Sequence, residues 1–124
     1  MENTINSFLT IVIITFNRYP YLKRLLSYFS KVSFPINILI LDSSSDQLDD
    51  DELIEILKKE NIELRQFTSD ILPKEKISDG LKDIHTPYTV ICADDDFLIP
   101  TTLKKCCDFL DQNQSFISAH GIYV

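Results

Sequence analysis

Leu9-Thr10-Ile11-Val12-Ile13-Ile14-Thr15-Phe16 is an unbroken apolar stretch dominated by β-branched residues. A strand without polar alternation has no face to offer water. It belongs inside a sheet covered on both sides, which is the situation of a parallel strand in an α/β domain. The residues that follow agree. Pro20 stands where a first helical turn tolerates it, and Leu22, Leu25, Leu26 and Phe29 recur at helical spacing until Ser33-Phe34-Pro35 breaks the pattern. Ile36–Leu41 is a second short apolar strand, ended by Asp42 and serines.

The alternation then repeats. A helix is predicted over Leu48–Glu60, with Asp49, Asp50, Asp51 and Glu52 in its first turn and Lys58 and Lys59 in its last, as the helix dipole favours. Ile62–Phe67 alternates like a strand. Ile77, Leu81 and Ile84 mark a third helix, stopped by Pro87, and Tyr88–Cys92 a fourth strand. After Pro100, Leu103, Cys106, Cys107 and Leu110 predict a fourth helix, and Phe116–His120 begins a fifth strand reaching toward Val124. The expectation is an α/β fold: a mainly parallel sheet with helices on both faces and right-handed crossovers. A chain of 124 residues fits one domain over 1–124.

Composition removes several classes of function. Twelve basic residues against 19 acidic give a net charge of −7, and the basic residues form no stripe, so a nucleic-acid partner is not expected. The longest apolar run, Phe8–Phe16, is far below the roughly 20 residues of a membrane-spanning helix. The Met1-Glu2-Asn3-Thr4 start lacks the positive region of a secretory signal, and the expectation is a soluble, cytoplasmic protein. Cys92, Cys106 and Cys107 are odd in number, two of them adjacent, and His85 and His120 stand alone. The cysteines read as small buried hydrophobes, not as a disulfide framework or a thiolate metal site.

In an open parallel sheet, ligands bind outside the carboxyl ends of the strands. The polar segments there are Thr15–Arg18, Asp42–Ser45, Thr68–Asp70 and Asp94–Asp96. The acidic triplet is the sharpest of them. Consecutive carboxylates between apolar Tyr88–Cys92 and Phe97-Leu98-Ile99 repel one another, and folding does not call for them. A hard divalent cation, Mg²⁺ or Mn²⁺, offsets that repulsion and keeps positions open for substrate phosphates. An acidic solvated loop is the alternative.

These pieces, in this order, resemble family 2 glycosyltransferases of the GT-A fold. Thr10–Arg18 looks like that family's first strand and loop, continued by Pro20-Tyr21-Leu22 and Leu25-Leu26. Ile40-Leu41-Asp42-Ser43-Ser44-Ser45-Asp46 looks like the second strand with its nucleotide-binding aspartate. Gly80-Leu81, then Tyr88–Asp96 and Pro100, resembles the approach to the DXD motif. The resemblance implies a Rossmann-like domain that binds a nucleoside-diphosphate sugar, usually a UDP-sugar, with Mn²⁺ or Mg²⁺. It implies that Asp42 accepts a hydrogen bond from the base, that Thr15, Asn17 and Arg18 line the nucleotide pocket, and that Lys76, or Lys74, reaches the diphosphate. Asp94 would serve the nucleotide, and Asp95 or Asp96 the cation. The alternatives are a loop or cap role for Asp42, a helix-capping role for Asn17 and a solvated helix-start position for Lys76. The register of the triplet is shifted, since the first acid of the common pattern is Ala93 here, and Ser78 and Pro87 depart from the pattern as well.

Glycosyl transfer to a hydroxyl also needs a proton acceptor, which this family places well downstream of the triplet. His120, the imidazole that follows it, is a poor candidate. The chain therefore reads as the donor-nucleotide half of a glycosyltransferase cut short at Ile122-Tyr123-Val124, with a glycan, lipid or protein acceptor left open. An exposed strand at that end would invite pairing into a homodimer. Three rivals stand beside this reading. One is a nucleotide-binding module without catalysis. A receiver-like signalling domain and a haloacid-dehalogenase-type phosphatase both want an acid after the first strand, where this chain has Thr15-Phe16-Asn17-Arg18.

Overall fold

The computed structural model describes residues 7–121. Strand and helix alternate as β1 (Leu9–Thr15), α1 (Tyr19–Phe29), β2 (Asn37–Asp42), α2 (Asp51–Leu57), β3 (Ile62–Gln66), α3 (Pro73–Leu81), β4 (Tyr88–Ala93) and α4 (Pro100–Gln112). The sheet has the order β3-β2-β1-β4 and is parallel throughout. β1 lies between β2 and β4 and is buried along nearly its whole length, as its uninterrupted apolar sequence requires.

Side-chain alternation along the strands builds two cores. Leu9, Ile11 and Ile13 of β1 and Ile38 and Ile40 of β2 point to one face, where they meet Leu22, Leu25, Leu26 and Phe29 of α1, Leu53 of α2 and Cys107 of α4. Val12, Leu39 and Leu41 point to the other, where Ile77 of α3 and Ile84 pack. The chain thus steps from β1 to β3 over one face and returns to β4 over the opposite face. Reversing direction and face together keeps the hand of the crossover constant. Gly80 lets α3 approach closely: a Cβ there would lie 2.8 Å from Leu41 Cδ2.

Element ends follow local chemistry. Proline occupies the first turn of α1, α3 and α4, where its missing N–H costs nothing. α2 is shorter than the Leu48–Glu60 expected, because the Asp50 carboxylate accepts from the Glu52 and Leu53 amides and starts the helix there. Asp49 and Asp50 therefore precede the first turn, and Lys58 and Lys59 follow the last. Leu81, expected to face the core, is exposed.

Lys23 holds the Asp50 carboxyl below its ordinary value of 3.8, with the Leu53 amide adding to the effect. A depressed carboxyl contributes stability that is complete above the unfolded-state value and lost as pH falls through the folded-state value. Asp50→Asn, which keeps the cap but not the charge, should therefore lower Tm at neutral pH. The gap to wild type should close in strong acid. Equal gaps at both ends of a calorimetric pH series would contradict this.

The fifth strand does not form over Phe116–His120. Residues 113–121 lack regular structure. The Phe116 amide bonds back to the Asn113 carbonyl at 3.0 Å, and its ring tilts onto Phe109 of α4. That turn carries the segment away from β4, and Ile117 is left 98% exposed. The continuation expected through Val124 lies outside the described residues. The homodimer expected from this strand consequently has no strand over Phe116–His120 to rest on. Among the described residues no helix is long and apolar enough to cross a membrane.

Candidate nucleotide site

The strand order places the switch in chain direction between β1 and β4, and that is where an open parallel sheet offers a crevice at its carboxyl edge. Thr15 ends β1, Asp42 ends β2 and Asp94 follows β4, each set there by the register Thr15↔Asp42 and Ile14↔Ala93. All three are buried. Thr15 Oγ1 donates to Asp94 Oδ2 at 2.8 Å, and Arg18 bridges Asp94 at 3.3 Å and Asp95 at 3.3 Å. Burial raises the Asp94 carboxyl above its ordinary value, while the Thr15 hydroxyl and the Arg18 charge pull it down. Asp95 is 42% exposed, and Asp96, whose amide closes a turn on the Ala93 carbonyl, is exposed as well.

Asp42 is 1% exposed and uses both carboxylate oxygens. Oδ2 accepts from the Tyr19 hydroxyl at 2.6 Å and Oδ1 from the Ser44 amide at 2.9 Å. Burial, followed by the bond to Asp42, pushes the Tyr19 phenol up to about 12, so it stays a donor. The loop role weighed for Asp42 is thus present, and among the described residues these two bonds use two of the roughly four acceptor positions a carboxylate offers.

Asn17 does not cap α1. The residue at the cap is Arg18, and it makes no side-chain cap bond. Asn17 has φ 52°, the left-handed region that Asn tolerates better than most residues. In that conformation its Oδ1 accepts from the Ser45 amide at 2.8 Å and the Asp46 amide at 2.9 Å, while its own amide donates to Ser44 Oγ. The loops after β1 and β2 are thereby tied into one surface.

Lys76 is not a solvated lysine. It is 3% exposed, and Nζ donates to the Thr15 carbonyl at 3.0 Å and to Ser43 Oγ at 2.7 Å. Burial lowers its pKa, while Asp42 and then Asp94 act to raise it. Lys74 instead lines an open groove of about 610 Å³ with Phe67, Ile71 and Lys82, on the outer side of α3.

The structure therefore gathers Thr15, Asn17, Arg18, Asp42, Lys76, Asp94 and Asp95 at one edge. The bonds joining that edge do not include Thr68, Ser69 or Asp70, which stay exposed. Sequence reasoning missed Tyr19 and Ser43. The signal for Tyr19 was its place beside Pro20 in the first helical turn; Ser43 is indistinguishable by sequence from Ser44 and Ser45.

Among the described residues no three His, Cys, Asp or Glu side chains converge into a metal cage. Asp95 and Asp96 could still hold Mg²⁺ or Mn²⁺, since such ions take one or two carboxylates when phosphates supply the remaining oxygens. Beneath them, burial and the charges of Asp96, Asp94 and Asp95 push the Cys92 thiol up to about 12.

The model of Glycosyl transferase family 2 matches residues 10–124. The chain belongs to that family. Its fold is that of a GT-A glycosyltransferase: crystal structures of S. aureus TarS 1–349, one of them in complex with UDP, superpose with a TM-score of 0.73 at 23% identity over 87% of this chain. Full-length S. aureus TarS gives the same TM-score and identity. The chain spans 33% of TarS 1–349 and 20% of the full-length protein. No curated protein gives a significant match.

Proposed function

We propose that this family 2 domain binds a nucleoside-diphosphate sugar, specifically a UDP-sugar, together with Mn²⁺ or Mg²⁺, and forms the donor side of a glycosyltransferase. The observation that carries the reading is the convergence of buried Asp42 and Asp94 with Thr15, Asn17 and Arg18 at the carboxyl edge of β1, β2 and β4. The UDP bound to a structural neighbour supports the choice of nucleotide.

In this reading Asp42 accepts from the base, Thr15, Asn17 and Arg18 form the pocket wall, and Asp94 faces the ribose. Asp95 and Asp96 hold the cation. A bound cation stabilises the negative charge that builds on the departing diphosphate. Arg18, ion-paired with Asp94 and Asp95 at 3.3 Å each, would hold these two acids in place for the nucleotide and the cation.

The acceptor, whether glycan, lipid or protein, and the proton-accepting base belong to the other side of the reaction. His85 and His120 are exposed and take no part in the hydrogen bonds that join the site. The alternative is a nucleotide-binding module without catalysis of its own. The free cysteines suit a reducing cytoplasm, the location proposed for the protein.

Thermal unfolding with nucleotides tests the reading. UDP with Mn²⁺ should raise Tm, by more than ADP with Mn²⁺ does, and hydrolysis of UDP-sugars separates the enzyme from the binding module. No rise with any nucleoside diphosphate would sink the donor-site assignment.

A further inference from the structure

Lysine is almost never fully buried unless its charge is partnered, because removing an ammonium from water costs several kcal/mol. Lys76 is the buried cation of the described residues, and packing does not explain it. Ile77, Ile84 and the close approach at Gly80 already seat α3 on the sheet. Nor is it in a direct ion pair: its bonds go to the Thr15 carbonyl and Ser43 Oγ, with Asp42 and Asp94 supplying charge from further off.

Those two acceptors lie at the ends of different strands. Thr15 closes β1, and Ser43 follows Asp42 of β2. The Ser43 amide also donates to the Thr15 carbonyl, at 3.2 Å. One carbonyl oxygen therefore takes bonds from both Ser43 and Lys76, and α3 reaches across to close the triangle. Thr15 Oγ1 in turn fixes Asp94, and the chain at Ser43 and Ser44 fixes Asp42.

We infer that Lys76 is a positioning residue: its ammonium staples the ends of β1 and β2 so that Asp42 and Asp94 are held at the spacing a nucleotide requires. This rests on the donor-site reading above. It differs from a lysine that touches the diphosphate, since here the ammonium acts through Thr15 and Ser43.

Two variants and two measurements test it. Lys76→Met fills the volume without the charge, and Ser43→Ala removes one acceptor. Without nucleotide, amide hydrogen exchange at Ser43 and Asn17 should quicken about tenfold or more in Lys76→Met, and less in Ser43→Ala, as expected when a charged hydrogen bond is lost. Exchange at Val12 and Leu39 should be unchanged. UDP affinity, measured by calorimetry with Mg²⁺, should fall about tenfold in Lys76→Met.

Unchanged exchange at Ser43 and Asn17 in both variants would overturn the inference, whether or not UDP binds. So would loosened amides with full UDP affinity, because the staple would then be structural and nothing more. Loosened amides in a protein whose wild type ignores UDP would uphold the staple and remove the donor reading instead. Should Lys76→Met fail to fold, Ser43→Ala decides by the same two measurements.

Discussion

Asp42→Asn is expected to weaken UDP binding by about ten- to a hundredfold, the range for a hydrogen bond to a charged group lost from a buried site. The carboxylate is already paid for in folding terms: it lies at the end of β2 with Tyr19 on one oxygen and the Ser44 amide on the other. Asparagine keeps the shape and leaves one oxygen to accept from the Ser44 amide. Its NH₂ group, however, presents donors where Tyr19 and a base N–H both need an acceptor. The fold should survive with a Tm lowered by several degrees, because the Tyr19 bond is lost as well, and isothermal calorimetry on the folded variant should show the loss in Kd. Equal affinities for wild type and Asp42→Asn would remove Asp42 from the binding site.

Ile13→Ala should have the largest effect on stability, a cost of about 2–5 kcal/mol. Ile13 is fully buried on the central strand, in the core shared with α1, α2 and α4. A small domain has only about 5–15 kcal/mol to lose. Thr15 lies two positions further along the strand, on the same face of the sheet, so the cavity also sits directly below the nucleotide edge. Urea unfolding should give a lower midpoint with an unchanged slope. A loss below about 1 kcal/mol would mean that the site collapses around the alanine more readily than close packing allows.

Where the sequence was legible, a single physical rule decided the outcome. β1 was readable because Leu9–Thr15 has no polar alternation, and only a central parallel strand accommodates that. The parallel order followed from strictly alternating elements, and the sheet's carboxyl edge then pointed to Thr15, Asp42 and Asp94 before any distance was known. The family resemblance supplied roles for those residues; the geometry supplied their contacts.

Where it was not legible, two local choices competed on nearly equal terms. Asn17 was as good a helix cap as a loop residue by type, and its left-handed φ decided for the loop. Lys76 at the start of a helix reads as solvated, and nothing local reveals that α3 aims it at the Thr15 carbonyl on another strand. Phe116–His120 has strand-forming residues, yet a strand exists only with a neighbour to pair with. The bond from Phe116 to Asn113 turns the segment toward α4 instead. The first two outcomes depend on contacts distant in sequence, to Ser45 and Asp46 for Asn17 and to Thr15 and Ser43 for Lys76, which pattern alone does not encode.

The central claim is that the carboxyl edge of β1, β2 and β4 receives a nucleoside diphosphate. Its most direct test is a ¹H–¹⁵N NMR titration of the protein with UDP and Mg²⁺. The amides of Thr15–Arg18, Asp42–Ser45 and Asp94–Asp96 should shift together and saturate with one Kd, while those lining the groove outside α3, Ile71, Ser78 and Lys82, stay in place. Shifts confined to that groove, or no saturable shift at all, would contradict the account.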